Sequence, residues 1–204
     1  MLKEIMEQPE TIRNAMRGRV LVEEGNAKLS GLNGVMPLLE QAQRIIITAC
    51  GTSWHAGLVG EYMLEQYGKI PVEVEYASEF RYRNPIIKKS DVLFLISQSG
   101  ETADTLAALK EAKSKGASVL GICNVVGSTI ARESQGGVYI HAGPEIGVAS
   151  TKAFTSQLVV LSLITLLISR HRGMVKEQGA SICRELLLLP EKVQTVLSDT
   201  SSIE

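Results

Sequence analysis

Three hydroxyl side chains and one amide are concentrated in a short polar turn, Ser97-Gln98-Ser99-Gly100-Glu101-Thr102. The turn follows the apolar run 92–96 and precedes residues 103–113, whose apolar positions recur at helical spacing. Hydroxyls, a side-chain amide and the unpaired amides at a helix start suit the binding of an anion, because the helix dipole also favours negative charge there. None of these groups has to change its protonation state. The chemistry indicated is phosphate binding without catalysis by the turn itself.

The same turn also allows a purely structural interpretation, in which Ser99 caps the following helix and Thr102 lies in its first turn. Two further polar loops favour the binding interpretation. Residues 50–53 (Cys-Gly-Thr-Ser) follow an earlier apolar run, and residues 142–150 form a loop that contains two glycines and precedes a long apolar segment. Three such loops in one chain are more than helix capping requires.

Five apolar segments have the pattern of buried strands: residues 44–49, 72–76, 92–96, 117–123 and 138–141. Helix-like segments alternate with them, at residues 54–67, 77–82, 103–113, 128–133 and 151–169. The alternation predicts an α/β fold, a three-layer α/β/α sandwich around a five-stranded parallel sheet with flanking helices. The flavodoxin-like strand order 2-1-3-4-5 would bring the loops after the first and third strands together at a switch point, where ligands bind.

The regions outside this alternation are predicted to be helical or connecting. Residues 1–17 have the pattern of one or two short helices, residues 19–34 of a connecting segment, and residues 35–41 of a short helix. Near the other end, two helices are predicted, at residues 175–188 and 190–197. The chain is therefore divided into a helical and linker segment (1–34), the α/β domain (35–173) and C-terminal helices (174–204).

Composition limits the classes of function. A net charge of −1 and scattered basic residues give no reason to expect nucleic acid. The most apolar segment, 158–169, is too short to cross a membrane. An odd number of cysteines, three, argues against a disulfide framework and favours a reducing cytoplasm. The cysteines lack metal-ligand spacing, so no metal site is expected, and no cofactor is expected either.

Three motifs together resemble the sugar isomerase (SIS) domain family: A-C-G-T-S at 49–53, S-Q-S-G-E-T-A-D-T at 97–105 and E-I-G-V-A-S-T-K-A-F at 145–154. Within that family they are most similar to the isomerase half of the glucosamine-6-phosphate synthases, and the similarity extends over essentially the whole chain. The resemblance implies fructose 6-phosphate or glucosamine 6-phosphate as ligand, with hydroxyls holding the 6-phosphate and the third loop lining the sugar end. The implied binding residues are Thr52, Ser53, Ser97, Gln98, Ser99, Thr102, Val148 and Ser150.

The resemblance also implies what this chain does not carry. In the family, a glutaminase domain with a cysteine nucleophile and a second SIS domain with a C-terminal tail complete the enzyme. The second SIS domain and the tail supply the proton-transferring glutamate, the Schiff-base lysine and the ring-opening histidine, and the histidine comes from the partner subunit. None of these has a matched position here, so no catalytic residue is assigned within the chain. The expectation is a homodimeric binding domain with little or no turnover alone, whose partners are those two further domains.

The residues alone leave three other functions open. A stand-alone SIS-type phosphosugar isomerase would need a base, for which Glu79 and His55 are the available side chains. A non-catalytic sugar-phosphate sensor would need only the binding loops. A flavin-binding protein would need aromatic side chains to stack on the ring, and aromatics make up 4% of the chain.

Overall fold

The computed structural model describes residues 1–199. The chain begins with two helices, α1 (Leu2–Met6) and α2 (Gln8–Met16). The segment predicted to be a connection is instead partly ordered by hydrogen bonds: β1 (Val20–Leu21) pairs antiparallel with β2 (Asn26–Ala27), and a 3-10 helix, Ser30–Val35, leads into α3 (Met36–Gln41). Pro37 lies within the first turn of α3, where its missing N–H has no intrahelical partner to lose.

A five-stranded parallel sheet forms the centre of the molecule. Its strands are β3 (Arg44–Ala49), β4 (Val72–Tyr76), β5 (Asp91–Ser97), β6 (Ser118–Cys123) and β7 (Gly136–Tyr139), in the order β4-β3-β5-β6-β7. The predicted flavodoxin-like order is confirmed. Every residue of β5 and of β6 is buried, as expected for strands covered on both faces.

Helices connect the strands or follow the last of them, and they cover the sheet on both sides. They are α4 (Gly51–Gly68), α5 (Ala77–Tyr82), α6 (Ala103–Ser114), α7 (Thr129–Glu133), α8 (Lys152–His171) and α9 (Lys176–Ser198). Alternate residues of each strand contribute to opposite faces, because side chains along a strand point alternately to the two sides. Ile45 and Ile47 pack in the layer of α8, α2 and α9, whereas Ile46 packs in the layer of α5, α6 and α7. The predicted three-layer α/β/α sandwich is therefore confirmed.

The C-terminal part of the chain differs from its prediction. A single helix, α9, replaces the two predicted helices, and Pro190 lies inside it. The proline ring removes one hydrogen-bond donor and normally kinks or breaks a helix. Here Pro190 is buried, so its packing offsets part of that cost and the helix continues to Ser198.

Helix α8 is long and apolar enough to cross a membrane by length and composition alone. However, 78% of its most apolar 18-residue window is buried inside the domain. It therefore has the packing expected for the central helix of a globular core.

Candidate functional site

The register of the sheet brings the first two polar loops together. β3 and β5 pair in parallel, with Ala49 opposite Ile96, so residues 50–53 and 97–102 leave neighbouring strands at the same edge. The loop after β7 reaches this edge too and leads into α8. The carboxyl ends of the strands thus carry all three polar loops that the sequence singled out.

The turn after β5 is held by its own side chains. The Gly100 amide donates to Ser97 Oγ at 2.9 Å, and Ser97 Oγ lies 3.1 Å from Thr102 Oγ1. The Glu101 amide donates to Ser99 Oγ at 3.2 Å. Helix α6 begins at Ala103 with Thr102 as N-cap, so Ser99 shapes the turn and does not cap the helix. The hydroxyls are fixed in place before any ligand arrives.

The first loop ends directly in α4. Gly51 has a φ of +57° and opens the helix, which places the side chains of Thr52 and Ser53 in its first turn. The first amides of a helix have no intrahelical acceptor. Ser53 is buried, and its Oγ accepts a hydrogen bond of 2.9 Å from Nε2 of Gln157 on α8. This start of α4 therefore combines amide donors with two hydroxyls.

The third loop is held from both sides by carboxylates. Glu145 accepts hydrogen bonds from the Ser150 hydroxyl at 2.8 Å and from the Thr151 amide at 2.9 Å, so it caps the start of α8. Glu4 of α1 accepts from the Ile146 amide at 2.6 Å. Val148, between these anchors, is fully exposed.

These loops enclose one cavity of about 380 Å³. All eight residues predicted from the sequence lie along its wall, so the structure brings the whole predicted set together. Its lining includes no lysine or arginine in the part of the chain that the structure describes, and its single carboxylate, Glu145, is already engaged. An anion in this cavity would meet neutral donors and the starts of α4 and α6. The lining residues are Cys50, Gly51, Thr52, Ser53, Ile96, Ser97, Gln98, Ser99, Thr102, Glu145, Gly147, Val148 and Ser150.

The titratable side chains near the polar loops have structural partners. His55 Nδ1 lies 3.0 Å from the Gly51 carbonyl oxygen. Lys152 is buried and pairs with Glu7 at 2.6 Å, which turns its charge away from the cavity. Glu101 accepts from the Thr129 amide at 2.7 Å, and this bond lowers the pKa of its carboxyl. The residues from 1 to 199 contain no cluster of three or more His, Cys, Asp or Glu side chains suited to a metal.

Two contributors to the site were missed at the sequence level. Gln157 supports Ser53, and its only signal is a polar residue inside the apolar pattern of α8. Glu4 supports the third loop from 142 residues away in sequence. No local pattern connects a residue to a partner at that separation.

The chain is similar to known proteins over its full length. The family model described as "SIS domain" matches residues 38–167. The chain is 59% identical over 204 residues to glutamine–fructose-6-phosphate aminotransferase (isomerizing) of Chlorobaculum tepidum, covering 100% of this chain and 33% of that protein. It is 57% identical over 198 residues to the same-named protein of Bacteroides thetaiotaomicron, covering 97% of this chain and 32% of the relative.

A solved structure agrees with these matches. The C-terminal domain of glucosamine-fructose-6-phosphate aminotransferase from Francisella tularensis superimposes with a TM-score of 0.87 at 42% identity, covering 94% of this chain and 53% of that one. The chain thus spans about a third of the length of the curated relatives it matches. A five-stranded sheet with three polar loops at one edge, and a family match over residues 38–167, lead to one conclusion: the chain belongs to the SIS domain family.

Proposed function

We propose that this chain is the sugar-phosphate-binding domain of the isomerase half of a glutamine–fructose-6-phosphate aminotransferase, with fructose 6-phosphate and glucosamine 6-phosphate as its ligands. The observation that carries the proposal is the cavity at the carboxyl edge of β3 and β5. Its wall combines two helix starts with a set of neutral hydroxyls, a donor arrangement that suits a phosphate group.

In the proposed binding mode, the 6-phosphate lies at the turn 97–102 and the start of α4. Ser99, Thr102, Thr52 and Ser53 surround it, and the amides of the two helix starts supply further donors. The sugar extends toward Val148 and Ser150 of the third loop. This mode needs no charged side chain, so its affinity comes from several short hydrogen bonds to a charged group.

We propose binding without turnover by this chain alone. Isomerisation needs a base within hydrogen-bonding reach of the sugar carbons. The one carboxylate on the cavity wall within residues 1–199 is Glu145, and its oxygens already accept from Ser150 and Thr151. The acid–base groups are therefore proposed to come from the rest of the enzyme, that is, from a second SIS domain and a C-terminal tail, with a glutaminase domain as the further partner. A dimer in a reducing cytoplasm is part of the same proposal.

Calorimetric titration of the wild-type chain and of a Ser99→Ala variant tests this proposal. The titrants are fructose 6-phosphate and glucosamine 6-phosphate, with inorganic phosphate and FMN for comparison. We expect both sugar phosphates to bind the wild type, and Ser99→Ala to weaken binding roughly 10- to 100-fold, because it removes a hydrogen bond to a charged group.

A matched control comes from the same helix region. Ser114 is exposed at the far end of α6, where its hydroxyl donates to the Glu111 carbonyl oxygen, so Ser114→Ala should leave the dissociation constants unchanged. Heat with FMN and none with the sugar phosphates would contradict the proposal. So would equal losses of affinity in the two serine variants.

A further inference from the structure

A buried glutamine on α8 contacts the proposed phosphate site from behind. Gln157 is 1% exposed, and its Nε2 donates to Ser53 Oγ at 2.9 Å. Ser53 itself is 7% exposed and lines the cavity. The glutamine therefore lies one hydrogen bond away from the cavity without being part of its wall.

This hydrogen bond determines what Ser53 offers to a ligand. A hydroxyl has one hydrogen and two acceptor lone pairs. Since Ser53 Oγ accepts from Gln157, its own hydrogen is free to be donated elsewhere, and phosphate oxygens can only accept. The amide of Gln157 thus favours the orientation in which Ser53 donates toward an anion.

The other end of the same amide gives an independent observation. Gln157 Oε1 is buried and has no hydrogen-bond partner among the described residues. Burying an unpaired polar atom costs stability, and a leucine at this position on an apolar helix would avoid the cost. The N–H end of the same amide does have a partner, Ser53 Oγ, so the contact with Ser53 is the one that offsets part of this cost.

We propose that Gln157 is a positioning residue that holds the Ser53 hydroxyl as a hydrogen-bond donor to the phosphate of the ligand. The inference rests on the proposed function and adds to it a residue outside the cavity wall. It predicts that the effect of Gln157 on binding passes entirely through Ser53.

Two substitutions separate this role from simple packing, with fructose 6-phosphate as the probe. Gln157→Leu removes the donor and puts an apolar side chain of similar size in its place, and we expect about five- to tenfold weaker binding. Gln157→Glu should weaken binding further at pH 8, since an ionised carboxylate accepts the Ser53 hydrogen and repels the phosphate. At pH 5 the affinity relative to wild type should recover, because burial raises a carboxyl pKa and the neutral acid can again donate to Ser53 Oγ.

A double-mutant comparison completes the test. In a Ser53→Ala background, Gln157→Leu should change the dissociation constant less than twofold. Thr165→Val is the control: Thr165 is a buried threonine on the same helix whose hydroxyl lacks a partner among the described residues, so binding should be unchanged. Circular dichroism melting verifies that each variant is folded.

The outcomes distinguish the two proposals. Wild-type binding with an unaffected Gln157→Leu variant, or with equal losses in both backgrounds, would overturn the positioning role alone. A Gln157→Glu variant whose relative affinity does not change with pH would also overturn it. A folded wild-type chain that binds neither sugar phosphate would overturn the proposed function and this inference with it.

Discussion

Gly100, a single residue, determines the shape of the turn after β5. Its backbone φ is +68°, in the left-handed region that side chains disfavour. A Cβ built at this position would lie 2.1 Å from Ser128 Oγ and 2.5 Å from Ser128 Cβ. Backbone conformation and lack of space therefore both require glycine, and the Gly100 amide is also the donor to Ser97 Oγ.

Gly100→Ala should destabilise the protein and abolish binding of sugar phosphate. The left-handed backbone alone costs about 1–3 kcal/mol, and the contact with Ser128 adds to it. Urea denaturation measures the change in the free energy of unfolding. Gly127→Ala is the matched control, because Gly127 has a φ of +73° but no atom within 4 Å of an added Cβ. Equal destabilisation in the two variants would contradict the steric part of the argument.

Single residues were predicted best where their chemistry is local. The positions of Ser97 and Thr102 after a buried strand predicted that both are polar groups of one turn. In the structure, Ser97 Oγ and Thr102 Oγ1 lie 3.1 Å apart. Their use in binding phosphate stays a prediction. Gln157 was not predicted, because its partner, Ser53, lies 104 residues away and only the packing of α8 against α4 brings the two together.

At the scale of elements, α1 and the third polar loop form one unit. The Glu4 carboxylate accepts from the amides of Ile146 and Gly147, and these bonds lower its pKa from the ordinary 4.5 to about 2. Next to it, Glu7 pairs with Lys152 at the start of α8. A short N-terminal helix thereby fixes both the loop that carries Val148 and the helix that follows.

Glu4→Gln should weaken this connection in a pH-dependent way. Because the folded pKa is below the ordinary value, the stabilisation by the carboxylate is fully present above about pH 4.5 and is lost as the pH falls toward 2. We expect the wild type to be more stable than the variant from pH 5 to pH 8, with the difference disappearing near pH 2. Urea denaturation at a series of pH values measures this.

The control for Glu4→Gln is Glu10→Gln, on α2. The Glu10 side chain is 61% exposed and reaches Arg13 and Arg17 only through ion pairs of 3.7 Å, so its loss should change stability little. Hydrogen exchange gives a second readout, since the Ile146 and Gly147 amides should exchange faster in Glu4→Gln alone. Unchanged exchange at these amides would show that the loop does not depend on Glu4.

Elements were predicted well where a strand and a helix alternate, and less well elsewhere. All five strands of the sheet were predicted. For β3, β5 and β6 the signal was a continuous apolar run, which burial on both faces produces, whereas β4 alternates valine with glutamate and is only partly buried. The ribbon of β1 and β2 was not predicted, since two residues in each strand are too few to show a period. The prediction of two separate helices around Pro190 was wrong. The burial that offsets the cost of a proline inside α9 is a tertiary effect, which the local sequence does not show.

For the whole molecule, the terminal helices share the core of the sheet. Ile12 and Met16 of α2, and Cys183 and Leu186 of α9, are buried in the same cluster as the inward residues of β3 and β5. The division of the chain at residues 34 and 173 stays a prediction. The shared core nevertheless implies that the segments before and after the sheet unfold together with it.

Ile12→Ala tests whether the N-terminal helices unfold together with the sheet. Ile12 is 3% exposed, so its truncation should lower the free energy of unfolding by about 2–4 kcal/mol. The fluorescence of the single tryptophan, Trp54, which stacks on Tyr76 at 4.2 Å, reports on the region beside the cavity, and far-UV circular dichroism reports on all helices. If the core is one unit, the denaturation midpoints from both signals fall together in Ile12→Ala. Met6→Ala, at a side chain 50% exposed, should change neither midpoint appreciably. A Trp54 transition that stays at the wild-type midpoint while part of the helical signal is lost earlier would mean that α2 unfolds independently, and that the cavity does not depend on the N-terminal helices for its stability.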